Sequence, residues 1–258
     1  MTDDDNLRFF RARHASFCRI VDVLRDDDAL LPKLLDDAFD SFEQALQARM
    51  DAGAPVACNR GCATCCTVRV TATAPEILLI ARHLWESEPD VCARIVRRVA
   101  EADMHTRFED AQSRVALRQP CPFIDDDGAC AIYPVRPLAC RGHASHDRHA
   151  CELAACGRID DIPHSVAHRM VRSLVQNALQ SALRDAGYTW ASYELNHAVI
   201  QALSEPDAEL AWRAGEDVFA DAQVDDVSPA EMAQTFDWLK GIRVVPGLRP
   251  EPGYDIGR

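Results

Sequence analysis

The sequence predicts a mainly α-helical chain, a helical scaffold carrying a small cysteine-rich metal-binding region with a short hairpin. Three observations carry that expectation. Apolar residues recur at helical spacing over most of the 258 residues. Thr73-Ala74-Pro75-Glu76 and Ser228-Pro229-Ala230-Glu231 are capping boxes with proline in the first turn. Cys58, Cys62, Cys65 and Cys66 crowd into the stretch CNRGCATCC, a density that metal ligation explains better than packing does. The expected organisation is N-terminal helices over 1–53, a cysteine-cluster metal-binding domain over 54–157, C-terminal helices packed on it over 158–243, and a tail over 244–258.

Residues 3–25 carry an amphipathic pattern opened by Thr2 and the aspartates, and Asp26-Asp27-Asp28 punctuates it. A second helix, with Pro32 in its first turn, aligns Leu34, Leu35, Phe39, Phe42, Leu46 and Met50 and stops near Gly53. Cys18 falls in the apolar stripe of the first helix and reads as a packing residue. Thr67-Val68-Arg69-Val70-Thr71 alternates as a short strand does, and the first capping box then opens a helix at Ala74 that runs through Leu84. Ser87-Glu88-Pro89-Asp90 opens another, expected to last to Leu117, with Cys92 packed inside it.

Between Cys121 and Tyr133 the pattern is a hairpin turning at Asp125-Asp126-Asp127-Gly128, aspartates that read as turn chemistry because the spaced oxygen ligands of a calcium loop are missing. A short helix after Arg136-Pro137 holds Cys140. Long amphipathic patterns follow over 162–186, 190–203 and 207–220, and the second capping box opens a final helix that ends before Gly241.

Composition narrows the function. Apolar residues make up 48% of the chain, enough for an ordinary core, and the formal charge of −13 argues against affinity for nucleic acid or an anionic membrane. Arg97-Arg98 lies inside a helical pattern and reads as a solvated face. The start, MTDDDNLRFF, is acidic where a secretory signal is basic, and no apolar run approaches the roughly 20 residues that span a bilayer. These features predict a cytoplasmic protein in which eleven cysteines, an odd number, remain thiols or metal thiolates.

Closely spaced cysteines serve both structural zinc sites and iron–sulfur clusters, because a short turn lets two sulfurs converge on one ion. Cys62 and Cys65 have such a spacing, and in an extended segment the adjacent Cys65 and Cys66 would face opposite ways and could address two metals. Cys121, Cys130 and Cys140 supply a second group. Two tetrahedral zinc sites want eight ligands, so Cys151, Cys156 or one of His143, His146 and His149 would complete them, each histidine alone reading as a surface residue. Arg60, Arg69, Arg136 and Arg141 interleave the motif and either offset thiolate charge or pair with surface carboxylates.

Taken together, Cys58-x3-Cys62-x2-Cys65-Cys66, Cys121-Pro-Phe and Cys130-x-Ile-Tyr-x-x-Arg136-Pro137-x-x-Cys140-Arg141 resemble the YkgJ-type cysteine-cluster proteins, a group defined by zinc or iron chelation. The resemblance spans roughly 58–151 and includes Glu76 after the first cluster. It implies a cofactor of zinc or iron, an iron–sulfur cluster among the forms, and a metal set of Cys58, Cys62, Cys65, Cys66, Cys121, Cys130, Cys140 and Cys151, with Cys151 nearer the place of a last ligand than Cys156. A flagellin lysine N-methylase resembles the same group, so an S-adenosylmethionine-dependent methyltransferase is the alternative function, although no GxGxxG or GxxxxGK[ST] is present. The favoured expectation is a cytoplasmic metal-binding protein whose partner is the metal ion or cluster. The thiol surplus leans it toward iron–sulfur or mixed occupancy.

Overall fold

The computed structural model describes residues 3–50, 55–59, 61–159 and 162–242. The expectations for Thr2, the stop near Gly53, Arg60 and the tail from 244 onward lie outside these residues.

Three long helices form one side of the core. Helix α1 (Asp3–Leu24) opens with three aspartates, which suit the positive end of its dipole, and buries Phe10, Phe17 and Val21 on one face. Helix α2 (Leu30–Met50) buries Leu30, Leu31, Leu34, Leu35, Ala38 and Phe42. Helix α8 (Val166–Asp185), N-capped by the Ser165 hydroxyl, packs against both and buries Val171, Val175, Ala178, Leu179, Ala182 and Leu183. Truncating any of the buried phenylalanines to alanine would cost about 3–5 kcal/mol, since the cavity only partly collapses.

The other side is built on α3 (Ala74–Trp85), α4 (Pro89–Thr106) and α9 (Leu195–Ser204), with α3 and α4 both packed on α9. A two-stranded antiparallel pair joins the ends of this layer, β1 (Thr71–Ala72) against β2 (Tyr193–Glu194). The sequence pattern overstated β1. Residues 64–67 fold into turns, and only Thr71 and Ala72 pair, because the partner offers two residues before α9 begins.

Four helix boundaries also differ from expectation, the first being that the pattern read from Ile162 becomes helix only at Val166, after the Ser165 cap. The pattern read as one helix to Leu117 breaks after Thr106, and α5 (Ala111–Leu117) restarts where the Asp110 carboxylate accepts the Ser113 N–H at 2.7 Å. The pattern begun at Trp190 becomes helix only at Leu195, after β2. The one read over 207–220 is the short α10 (Ala208–Arg213), ended at Gly215 with φ +90. After a 3-10 turn at Ala220–Ala222, α11 (Pro229–Lys240) shows both bonds of its capping box and stops at Gly241, φ +82.

The start of α9 carries a buried acid. Glu194 accepts the His197 N–H at 2.8 Å as an N-cap, and its neighbour Asp103 on α4 is 1% exposed, held by His197 Nδ1 at 3.2 Å and by Arg107. Glu194, His197 and Arg107 border a cleft of about 280 Å³ shared with Arg69 and Phe108. Burial, aided by the Asp103 charge, pushes the Glu194 carboxyl up to about 7 from its ordinary 4.5. A carboxyl raised on folding stabilises the fold fully below pH 4.5, and that contribution is lost as pH rises through about 7. Urea unfolding across this window should therefore show the wild-type protein losing up to about 3 kcal/mol that the Glu194→Gln protein does not lose. Parallel stability curves for the two proteins would remove Glu194 as the source.

Candidate metal centre

The first cysteine segment is made of turns. The Cys62 N–H donates to Asn59 O and the Cys66 N–H to Ala63 O, each at 3.0 Å, and Gly61 takes φ +89, open to glycine at no steric cost. The segment is thus not extended, and Cys65 and Cys66 are not splayed to opposite faces; their thiols hydrogen-bond each other. Cys58 is anchored from the far side of the region. Ala57 donates to Ser145 O at 2.8 Å, and the Ser145 N–H donates to Cys58 Sγ at 3.3 Å.

Just beyond Ser145, Asp147 caps helix α7 by accepting the Ala150 N–H at 3.0 Å, with α6 (Leu138–Gly142) preceding it and α7 itself spanning Arg148–Ala155. The cap places Cys151 on the first turn of α7, where Cys62, Cys65 and Cys151 are electrostatic neighbours of Cys58. Cys156, at the end of α7, is exposed. His143 belongs to this group, a residue that sequence reading placed on the surface. Its ring lies near enough to the Cys65 thiol to favour its ionisation and packs edge-on against His164 at 5.0 Å, and its shielded Nε2 has no hydrogen-bond partner among the described residues. The Cys140-x-x-His143 spacing across α6 was the available signal. His146 and His149 are exposed, as expected.

The second group begins where the Cys121 N–H donates to Cys66 O at 2.7 Å, which stitches the two segments together. The hairpin is shorter than its sequence pattern suggests. Ile124 and Cys130 form a single antiparallel bridge around a turn at Gly128, φ +81, and the return arm goes directly into a 3-10 turn at Tyr133–Val135 because Pro134 has no N–H for a ladder. Pro137 then leads into α6, which holds Cys140. Backbone N–H groups two residues downstream point at two of these sulfurs, Phe123 at Cys121 and Ile132 at Cys130. Such N–H to sulfur bonds stabilise a thiolate and orient it.

Burial dominates the electrostatics of the second group. It pushes the Cys121 thiol up to about 12 and moves Cys130 and Cys140 up as well, with Cys121 and Cys130 adding to the effect at Cys140. Cys65 is also raised to about 12, first by its bond to Cys66 and then by burial. Without a cation these thiols stay protonated, so metal binding must release protons. Positive charge stands nearby in Arg136, which stacks over Tyr133 at 4.1 Å and favours ionisation of Cys130 and Cys140, and in Arg98 and Arg114, which do so for Cys121. Arg98 is therefore not a solvated-face residue; it donates to Ile124 O and pairs with Asp125 at 3.4 Å. Arg69 pairs with Asp226, and Arg141 pairs with Glu43 at 3.2 Å while covering the Phe39 ring.

All eleven cysteines are free, and eight of them, Cys58, Cys62, Cys65, Cys66, Cys121, Cys130, Cys140 and Cys151, come from segments that these contacts join. Thiolates of this kind suit zinc or iron and not magnesium or calcium. No three of them, among the described residues, bring their sulfurs within 4.8 Å of one another, so binding one ion requires the thiols to close in. Cys92 packs against the core, as expected.

Residues 57–157 match the family model CxxCxxCC, described as "Putative zinc- or iron-chelating domain". All eight cysteines lie inside the match. The chain matches no curated protein and no solved structure.

Glu76 ties this region to the helices. Its buried carboxylate accepts the Thr73 N–H and hydroxyl with Oε2, each at 2.8 Å, and the Leu138 N–H with Oε1 at 2.7 Å. One side chain thus closes the capping box of α3 and holds the first turn of α6, two residues from Cys140. Glu76→Ala leaves two buried N–H groups without acceptors and should destabilise the protein by about 2–4 kcal/mol in urea unfolding. An unchanged midpoint would show that the carboxylate is dispensable.

Proposed function

We propose that this chain is a cytoplasmic metal-binding protein that chelates zinc or iron through a two-part thiolate centre within 57–157. The observation that carries this reading is that eight cysteines from separate segments lie in two neighbouring groups, three of them receiving backbone N–H groups from Ser145, Phe123 and Ile132. The family match to a chelating domain supports the same conclusion. Cys58, Cys62, Cys65 and Cys151 make one part, with His143 beside Cys65. Cys121, Cys130 and Cys140 make the other. Cys66 stands at the junction, its thiol against Cys65 and its carbonyl on the Cys121 N–H.

None of these thiols is among the fully buried members of the apolar core, and only Cys121 and Cys130 of them pack against it, so a purely structural role gives little reason for so many. We therefore favour iron, as an iron–sulfur cluster or in mixed occupancy with zinc, in a storage or redox role. Absence from the described residues of any helix long and apolar enough to cross a membrane is compatible with this assignment.

Metal analysis, acid-labile sulfide and the visible spectrum of anaerobically purified protein test the reading. Iron with sulfide and a brown colour is the expected result; stoichiometric zinc, no sulfide and no colour would overturn the iron assignment and keep chelation. Cys65→Ser and Cys130→Ser should each lower the bound metal, whereas Cys92→Ser should leave it unchanged. Equal loss in all three proteins would sink the ligand assignment itself.

A further inference from the structure

Away from the cysteine region, three potential ligands from two helices meet in one place. His14 and Cys18 lie four residues apart on the same face of α1, and Asp185 ends α8 opposite them. His14 Nε2 is 2.9 Å from Asp185 Oδ2, Cys18 Sγ is 3.6 Å from the same Nε2, and all three ligand atoms lie within 4.8 Å of one another. Among the described residues no other set of three histidine, cysteine or acidic ligand atoms is this close.

Both contacts fall on one ring nitrogen. A catalytic relay would use the two opposite nitrogens of the imidazole, one for the thiol and one for the carboxylate. Here sulfur and carboxylate oxygen crowd the same Nε2, and a single proton on that atom serves at most one of them well. Three potential ligand atoms this close together, from two helices, describe a candidate cation site. Zinc bonds of about 2.3 Å to sulfur and about 2.0–2.1 Å to nitrogen place the two ligands about 3.6 Å apart across a tetrahedral angle. The Cys18 to His14 separation is 3.6 Å.

We propose that His14, Cys18 and Asp185 form a second metal site, distinct from the cysteine cluster, for a divalent cation of the zinc class. One imidazole, one thiolate and one carboxylate are a mixed set that zinc accepts, and three protein ligands leave the fourth position to water. The mount is fixed. The Phe10 ring stacks on His14 at 6.1 Å, and Arg11 donates to Leu239 O at 3.0 Å, pinning the end of α11 to α1. The site clamps α1 to α8.

Lys240 is the built-in competitor. Its ammonium lies 2.9 and 3.0 Å from the two oxygens of Asp185 and has a second partner in Asp237 at 3.5 Å. A bound cation takes Oδ2 and leaves Lys240 with Oδ1 and Asp237. Lysine and metal thus draw on the same carboxylate, and removing the lysine charge must favour the metal.

The test is a Zn²⁺ titration of the full chain, purified with its cysteine centre loaded, against a chromophoric zinc competitor and total metal analysis. The parent should take up one equivalent beyond the metal of the centre. His14→Gln and Cys18→Ser should lose that equivalent alone, Cys65→Ser should keep it while losing metal from the centre, and Lys240→Gln should bind it severalfold more tightly. The gain at Lys240→Gln cannot arise from misfolding. Equal uptake by the parent and His14→Gln proteins, or binding that Lys240→Gln leaves unchanged or weakens, would overturn the site without touching the cysteine assignment.

Discussion

Among the contacts that hold the cysteine region to the helices, one buried carboxylate has the most consequences. Glu76 has three donors on it, two from Thr73 and one from Leu138, and it is 1% exposed. A buried charge with fewer partners would be a liability; one that accepts three hydrogen bonds sets the geometry of whatever it touches. It touches the first turns of two helices. The N-terminal half-charges of α3 and α6 therefore share a single counter-charge, and the position of Cys140 follows from that of α3. A second fixing lies on the other side of α6, where a Cβ on Gly142 would stand 2.5 Å from Arg172 Cβ on α8, a separation that only glycine permits.

Between these anchors the thiols are desolvated rather than displayed. Burial holds Cys121 and Cys140 in the neutral form, and the nearby arginines and N–H groups reduce the penalty without cancelling it. The arrangement is costly for a bare thiolate, a cost that a bound cation would offset. A reactive cysteine is found in surroundings that lower its pKa. At Cys65, Cys121 and Cys140 the shift runs the other way.

The sequence made the helices legible wherever capping chemistry and apolar period agreed. Both capping boxes are present at Thr73 and Ser228, and α1, α2 and α3 begin within a residue or so of where the pattern places them. The reading failed where the apolar period continued through a break. Asp110 interrupts a helical stripe by offering a better local acceptor, and residues 190–194 serve β2 before α9 starts. Cysteine density identified the region but not its grouping, because the contacts between Cys58 and Ser145 and between Cys66 and Cys121 depend on chain reversals that spacing does not encode. Arg98 and His143 were misplaced for the same reason. Each looks like a surface residue on its own element and is drawn in by another.

In the proposed centre, closing the thiols onto an ion would not be shared equally among the segments. Cys140 is fixed by Glu76 on one flank and by the contact of Gly142 with Arg172 on the other, and Cys151 rides on a capped helix. The 58–66 segment is built from turns, and the backbone bonds that tie it to the rest of the protein run through Ala57 and the Cys66 carbonyl. A turn changes its dihedral angles at less cost than a helix surrenders its bonds. In the proposed centre the approach to the metal would come from Cys62, Cys65 and Cys66, toward Cys140 and Cys151 on their helices.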